Sequence, residues 1–159
     1  MMPVRKDVSE SLPKALQEAR PGAVTEVLSS RGELILRVDH AHLVELCRFL
    51  REDPEWKFDF LAALSGVDWI GRSPRFEVVY QLRSLPQNLR VSLKVAVPDD
   101  TLTVPSVTGV WKGADWLERE VYDLYGIVFD EHPNLRRIMM PDDWEGHPYR
   151  KDFPLEGYE

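Results

Sequence analysis

From Leu89 to Val97 the chain alternates apolar with mostly polar residues, so Leu89, Val91, Leu93, Val95 and Val97 fall on one side of an extended strand. A helix would scatter these side chains around its circumference, and the alternation therefore dictates a sheet with one buried face. A similar run, Phe76-Glu77-Val78-Val79-Tyr80-Gln81-Leu82, lies just upstream, and the connector around Pro86-Gln87-Asn88 suits an antiparallel hairpin. One apolar sheet face has to be covered by something, and helices are the expected cover.

The flanking sequence supplies them. Residues 11–19 predict a short amphipathic helix stopped by Pro21-Gly22, and residues 24–28 and 34–38 predict strands of a hairpin around Ser29-Ser30-Arg31-Gly32. Asp39 can cap a helix running to about Arg51, where Asp53-Pro54 ends it because a residue before proline is pushed out of the helical region. Residues 56–64 read as a further strand, with Trp56, Phe58 and Phe60 on one side, leading into a turn at Ser65-Gly66-Val67-Asp68-Trp69. From Pro105 a helical period takes over through Val107, Val110, Trp111, Ala114, Leu117, Val121, Leu124 and Tyr125, with a break allowed at Lys112-Gly113. Lys112, Asp115, Arg119 and Asp123 occupy the other side of that helix, where solvent is expected. The fold class is α+β: a small antiparallel sheet with helices packed on one face, followed by an extended, irregular C-terminal tail.

The division falls at Gly126. Residues 1–125 read as the α+β core, and residues 126–159 as a tail built for docking on a partner. Pro133, Pro141, Pro148 and Pro154 forbid a long helix or a central strand there. Yet the tail carries Phe129, Leu135, Ile138, Met139, Met140, Trp144, Tyr149, Phe153, Leu155 and Tyr158, a load that a solvated disordered segment lacks. Such a segment is expected against a surface, and a partner chain is favoured over the tail's own domain.

Several function classes are excluded on elementary grounds. A formal charge of −7 does not suit a phosphate-tracking nucleic-acid surface. No stretch approaches the roughly 18 uninterrupted apolar residues of a membrane span, and Met1-Met2-Pro3-Val4-Arg5-Lys6-Asp7 leads into no export signal, so the cytoplasm is expected. Cys47 is the single cysteine, sharing a helical stripe with Leu43, Leu46 and Leu50. It reads as a core thiol, and one thiol cannot supply the ligands of an ordinary iron–sulfur cluster. No phosphate loop, dinucleotide-binding glycine motif or zinc-type helix is present in the sequence. His132 and His147, with Asp142, Asp143 and Glu145 between them, invite a metal site, but each histidine precedes a proline in an extended segment without ligand spacing. Glu118 and Glu120 read as a solvated helix face or as ion-pair partners.

One stretch resembles a known family. Glu118-Arg119-Glu120 is followed, after two free positions, by Asp123 and Leu124-Tyr125, then by His132 after six more and Arg136 after a further three. This is similar to the signature of the 30 kDa subunit family of respiratory complex I, whose members are also described as its C subunits. Residues 137–155, from Arg137-Ile138-Met139-Met140-Pro141 to Arg150-Lys151-Asp152-Phe153-Pro154-Leu155, are similar to that family's extended tail.

The resemblance implies a non-catalytic subunit in the peripheral arm of a proton-translocating NADH:quinone oxidoreductase, on the cytoplasmic side of the bacterial inner membrane. Membrane association would come only through the complex. Expected neighbours are the 49 kDa-type chain of the quinone site, the small iron–sulfur chain beside it and other peripheral-arm subunits, which would carry the flavin and the clusters. No cofactor, metal or catalytic residue is expected in this chain. Partner contacts are expected at Glu118, Arg119, Glu120, Asp123, His132, Arg136, Arg137, Trp144, Tyr149, Arg150, Lys151, Asp152 and Phe153. The alternatives are the equivalent subunit of a related membrane-bound hydrogenase or photosynthetic complex, or a stand-alone small-molecule enzyme using His132, Glu118 and Glu120.

Overall fold

The computed structural model describes residues 7–157; the reading of residues 1–6 and the tail residue Tyr158 lie outside it. Helix α1 (Val8–Ala19) starts where the Asp7 carboxylate accepts a hydrogen bond from the Ser9 amide. A hairpin follows, β1 (Val24–Ser30) and β2 (Glu33–Val38), then a 3-10 turn at His40–His42 capped by Asp39, and α2 (Leu43–Glu52). Strands β3 (Phe60–Asp68), β4 (Phe76–Ser84) and β5 (Leu89–Ala96) come next. Short β6 (Thr103–Pro105), α3 (Ala114–Tyr125) and short β7 (Val128–Asp130) complete the regular structure.

The main sheet has the order β1-β2-β5-β4-β3. Its β4–β5 ladder is antiparallel, with Tyr80 opposite Leu93 and Val78 opposite Val95, as the alternation requires. The register carries one apolar row across the strands, Leu36 beside Leu93, Leu93 beside Tyr80 and Tyr80 beside Leu64, all buried. Leu12 and Leu16 of α1, and Leu43, Leu46, Cys47 and Leu50 of α2, are buried in the same core. The α+β arrangement holds, with one difference: β2 pairs parallel to β5, so the sheet is mixed. The chain reaches β5 from β2 only after α2 and the β3–β4 hairpin, a long-range pairing that leaves no local signal.

Two other expectations change. Trp56 and Phe58 are buried, but they precede β3 in a turn, and Phe60 is exposed, so the three do not share a strand face. Residues 65–68 belong to β3 and do not turn. Gly66 is there for room: a Cβ at that position would sit 2.6 Å from the ring of Tyr125 on α3. The predicted helix from Pro105 is shorter, because residues 103–105 pair in parallel with β7 and Val107 to Trp111 form a single turn. Helix α3 proper starts after Gly113.

Candidate functional site at helix α3

Helix α3 carries the signature residues, and the chain beyond it folds back along its length. A helix leaves its last carbonyls without intrahelical donors, and here the returning chain supplies the donors. Gly126, in the left-handed conformation at φ 78°, gives its amide to Tyr122 O. His147 Nδ1 donates to Asp123 O at 2.9 Å, the Tyr149 amide to Leu124 O at 3.0 Å and Arg150 Nε to Tyr125 O at 2.7 Å. Gly126 is also required by space, since a Cβ would lie 2.6 Å from Arg150 Nη2 and 2.7 Å from His147 Cδ2. The residues around His147 and Arg150 are therefore a strap that caps α3.

Asp123 is the second fastening. Its side chain is fully buried, one oxygen accepting the amides of Ile138, Met139 and Met140 at 3.1, 2.7 and 2.8 Å, the other taking Arg137 Nη1 at 2.6 Å. Burial alone would raise the carboxyl, but these amides and the guanidinium outweigh it and hold the group below the usual carboxylate range. Arg137 also donates to Gly146 O, closing the loop between the two ends of the strap. Arg119 donates to Arg136 O and Arg137 O at 3.1 Å each, with its guanidinium over the ring of Trp116. Asp123 and Arg119, expected on the solvent side, are buried because the strap covers that side of the helix.

A third fastening lies at the end of the sheet. Asp68, nearly buried, receives Arg75 through Nε and Nη2 at 2.8 Å each and the Lys151 amide at 2.8 Å. The hydrogen bonds from Arg75 hold its carboxyl below the usual range despite burial. Asp152 pairs with Arg75 Nη2 at 2.8 Å on the outside. Sequence alone does not single out Asp68 and Arg75, since Asp68 reads as part of a turn and its partners lie 7 and 83 positions away.

Glu118 lies near the other end of α3 and is fully buried, which corrects the reading of a solvated face. It accepts Ser106 Oγ at 2.6 Å and the Val107 amide at 2.7 Å. His132, whose side chain is sealed from solvent, places Nε2 3.1 Å from Asp115 O, 3.2 Å from Asp115 Oδ1 and 4.0 Å from Glu118 Oε2. Its Nδ1 accepts the Asn134 amide at 3.0 Å, which assigns the proton to Nε2 and leaves the ring neutral. His132 and His147 thus serve opposite ends of α3, and among the described residues no group of three or more histidine, cysteine or acidic side chains is placed to hold a metal.

The structure brings Arg119, Asp123, His132, Arg137, Arg150, Lys151 and Asp152 into contacts between this chain's own elements and its returning strap, whereas Glu118 holds Ser106 and Val107 ahead of α3. Within the chain, the counterion of Arg137 is Asp123. Arg150 is spent on a helix carbonyl, and Lys151 approaches Asp68 through its backbone. Glu120, half-buried, and Arg136, exposed, make no side-chain hydrogen bond or ion pair among the described residues. Trp144 is 40% and Tyr149 59% exposed, Phe153 is half-buried, and the helix adds Trp116 at 62%, which periodicity alone does not single out.

The family model for the respiratory-chain NADH dehydrogenase, 30 Kd subunit, matches residues 36–159, which contain all three fastenings. The chain belongs to this family. The C subunit of NADH-quinone oxidoreductase from Roseiflexus sp. (strain RS-1) is 51% identical over 144 residues, covering 91% of this chain and 83% of the relative. Its counterpart in Geotalea uraniireducens (strain Rf4) is 47% identical over 142 residues, covering 89% and 85%. Among solved structures, the trypsin-resistant fragment (1-134) of Nqo5 shares the fold with a TM-score of 0.63 at 36% identity, covering 78% of this chain and 98% of that one. For a member of the 30 kDa family, the signature now has a structural meaning: Glu118, Arg119, Asp123 and His132 each tie α3 to a segment distant in sequence.

Proposed function

We propose that this chain is a scaffold subunit in the peripheral arm of a proton-translocating NADH:quinone oxidoreductase, without a catalytic centre of its own. It supports assembly beside the 49 kDa-type chain of the quinone site and the small iron–sulfur chain, on the cytoplasmic side of the inner membrane. The observation that carries this reading is the polarity of the strap. Arg137, His147, Arg150 and several backbone amides turn inward onto α3, while Trp144 and Tyr149 of the strap and Trp116 of the helix stand exposed, and Glu120 and Arg136 have no partner among the described residues. Rigid aromatics held on a pre-ordered backbone lose little entropy on association, which suits a docking surface. Cys47 is buried in the core, and burial pushes its thiol up, which disfavours it as a cluster ligand or a nucleophile. Glu118 and His132 are sealed from solvent, and Glu120, two residues on from Glu118 in α3, belongs to a different face of the helix, which disfavours an acid–base enzyme built on them. No described helix is long and apolar enough to cross a membrane, so attachment through partners is the proposed route.

The test is purification of the native protein under mild conditions. It should travel with iron–sulfur and quinone-reductase subunits, and Trp144→Ala should weaken that association about thirtyfold, the equivalent of about 2 kcal/mol, without changing the thermal stability of the isolated chain. Recovery of the wild-type chain alone from cells that contain an intact complex would end this reading.

A further inference from the structure

Glu118 poses a problem that a scaffold role does not resolve. It is a fully buried carboxyl, and the groups around it are poor company for a negative charge. On its own helix it faces Asp115, whose charge opposes its own. From beyond β7 it faces His132, which is neutral because Nδ1 accepts the Asn134 amide. From α2 and β4 it faces Cys47 and Tyr80, both buried, both neutral, and both close enough for the Glu118 charge to raise their own ionisation. Among the described residues the Tyr80 hydroxyl has no hydrogen-bond partner, and it gives none to the carboxyl. Arg119, the adjacent cation, is directed to the carbonyls of residues 136 and 137.

The carboxyl does have a path to the surface. Oε1 takes the Val107 amide and is fixed as an acceptor, whereas Oε2 accepts Ser106 Oγ at 2.6 Å, a contact whose direction reverses when Oε2 carries the proton. Ser106 Oγ in turn lies 2.9 Å from Thr108 Oγ1, again with either atom able to donate, and Thr108 is half-exposed. We propose that Glu118 is a proton-binding site that titrates inside the folded protein, its proton exchanging with solvent along Ser106 and Thr108, so that the hold of α3 on residues 106–111 depends on pH. On release, Oε2 gives its proton to Ser106 Oγ, Ser106 passes its own to Thr108 Oγ1, and Thr108 passes its own to water. Each hydroxyl ends with the number of protons it began with, and the charge left on Glu118 is the only net change.

Burial drives the Glu118 carboxyl upward; the bonds from Ser106 and Val107 offset part of this, Asp115 adds to it, and the group is pushed up to about 7. The unfolded chain would titrate the same group near about 4.3. The folded form therefore binds the proton more tightly, and its contribution to stability is complete below the unfolded value and is lost as pH rises through the folded value. The inference rests on this chain alone and stands or falls independently of the proposed assembly.

The experiment is carbon NMR of the full chain with labelled glutamate side-chain carboxyls, from about pH 5 to about pH 9, a range that brackets the buried carboxyl and excludes ordinary ones. One resonance should titrate with a midpoint near neutrality and vanish in Glu118→Gln. Ser106→Ala should move that midpoint upward, since it removes a donor to the charged form. The melting temperature of the wild type should fall over the same range while that of Glu118→Gln stays flat. If Glu118→Gln fails to fold, the Val107 amide of the wild type reports the same event, because it bonds to Oε1. A Glu118 resonance at the ionised position throughout, with a stationary Val107 amide, would overturn the proposal.

Discussion

The sheet and the strap both pack on α3, yet they are held by opposite kinds of force. Between α3 and the sheet, contact is apolar: Gly66 of β3 admits the ring of Tyr125, whose edge meets Phe76 of β4. Between α3 and the strap, the fastening is polar: three amides and a guanidinium on Asp123, two carbonyls on Arg119, and an imidazole, an amide and a guanidinium on the helix end. A buried aliphatic side chain contributes roughly 1.5–3 kcal/mol whatever its direction. A hydrogen bond contributes about 0.5–1.5 kcal/mol and only in one geometry. The sheet is thus built for stability and the strap for precision of path. That assignment still leaves Trp144 exposed, and leaves more than half of Tyr149 exposed although its ring meets Tyr125 edge-on.

Separate damage to the two regions sharpens the contrast. The largest effect is expected from Leu93→Ala, at the centre of the apolar row that crosses the sheet, where the lost side chain and the residual cavity should cost about 2–5 kcal/mol. Urea denaturation followed by far-ultraviolet circular dichroism should show one transition at a lower midpoint, with sheet and strap lost together. A strap that resisted while the sheet melted would break the comparison, since it would mean that polar fastening sustains itself without the core.

Asp123→Asn should do the reverse at smaller cost. It removes the counterion of the largely buried Arg137 and weakens the bonds to three amides, an expected loss of about 2 kcal/mol concentrated in the strap. Hydrogen exchange should accelerate at the amides of Ile138, Met139 and Met140, and trypsin should cut sooner after Arg136 and Arg137, while amides of β4 and β5 keep their protection. Acid should mimic the variant. The Asp123 and Asp68 carboxyls are held below their ordinary range, so each contributes stability above its unfolded value that is lost as pH falls through the lower native value. Equal loss of protection in the sheet would show that strap and sheet form one cooperative unit.

The same contrast explains what can be read from sequence. Strands β4 and β5 and helix α2 are visible there because period two and period 3.6 are local patterns written by burial. The pairing of β2 with β5, and of β6 with β7, joins residues with long intervening chain and leaves no periodic trace. Gly66 reads as a turn because a glycine's reason, here the ring of Tyr125, lies elsewhere in the chain. The charged residues of α3 stand out through the signature but are assigned to solvent, since polarity ordinarily marks an exposed face. Nothing in the helix itself announces that residues 132–150 will return to cover it. Beyond the expected division at Gly126, Ile127 and Phe129 still belong to the core, and a chain cut after Gly126 would lose both. A cut past Asp130 is the better way to test whether the core stands without the strap.

The smallest effect is expected at Asp152, and it separates the inner end of the strap from its outer end. Arg75 bonds both Asp68, which is buried, and Asp152, which is 57% exposed. Arg75 makes two bonds to each carboxylate, but the inner pair is buried and reinforced by the Lys151 amide, whereas water and salt screen the outer one. Asp152→Asn should therefore leave the global unfolding midpoint unchanged, because Arg75 keeps its two bonds to Asp68 and the sheet is untouched. The consequence should be local: faster exchange of the Lys151 amide at low ionic strength, fading as salt is added, because salt weakens the same pair in the wild type. A lowered midpoint that persists in high salt would mean that Asp152 supports the Asp68–Arg75 pair directly. In that case the strap's last fastening would belong with the buried polar cluster at Asp123 and not with the surface.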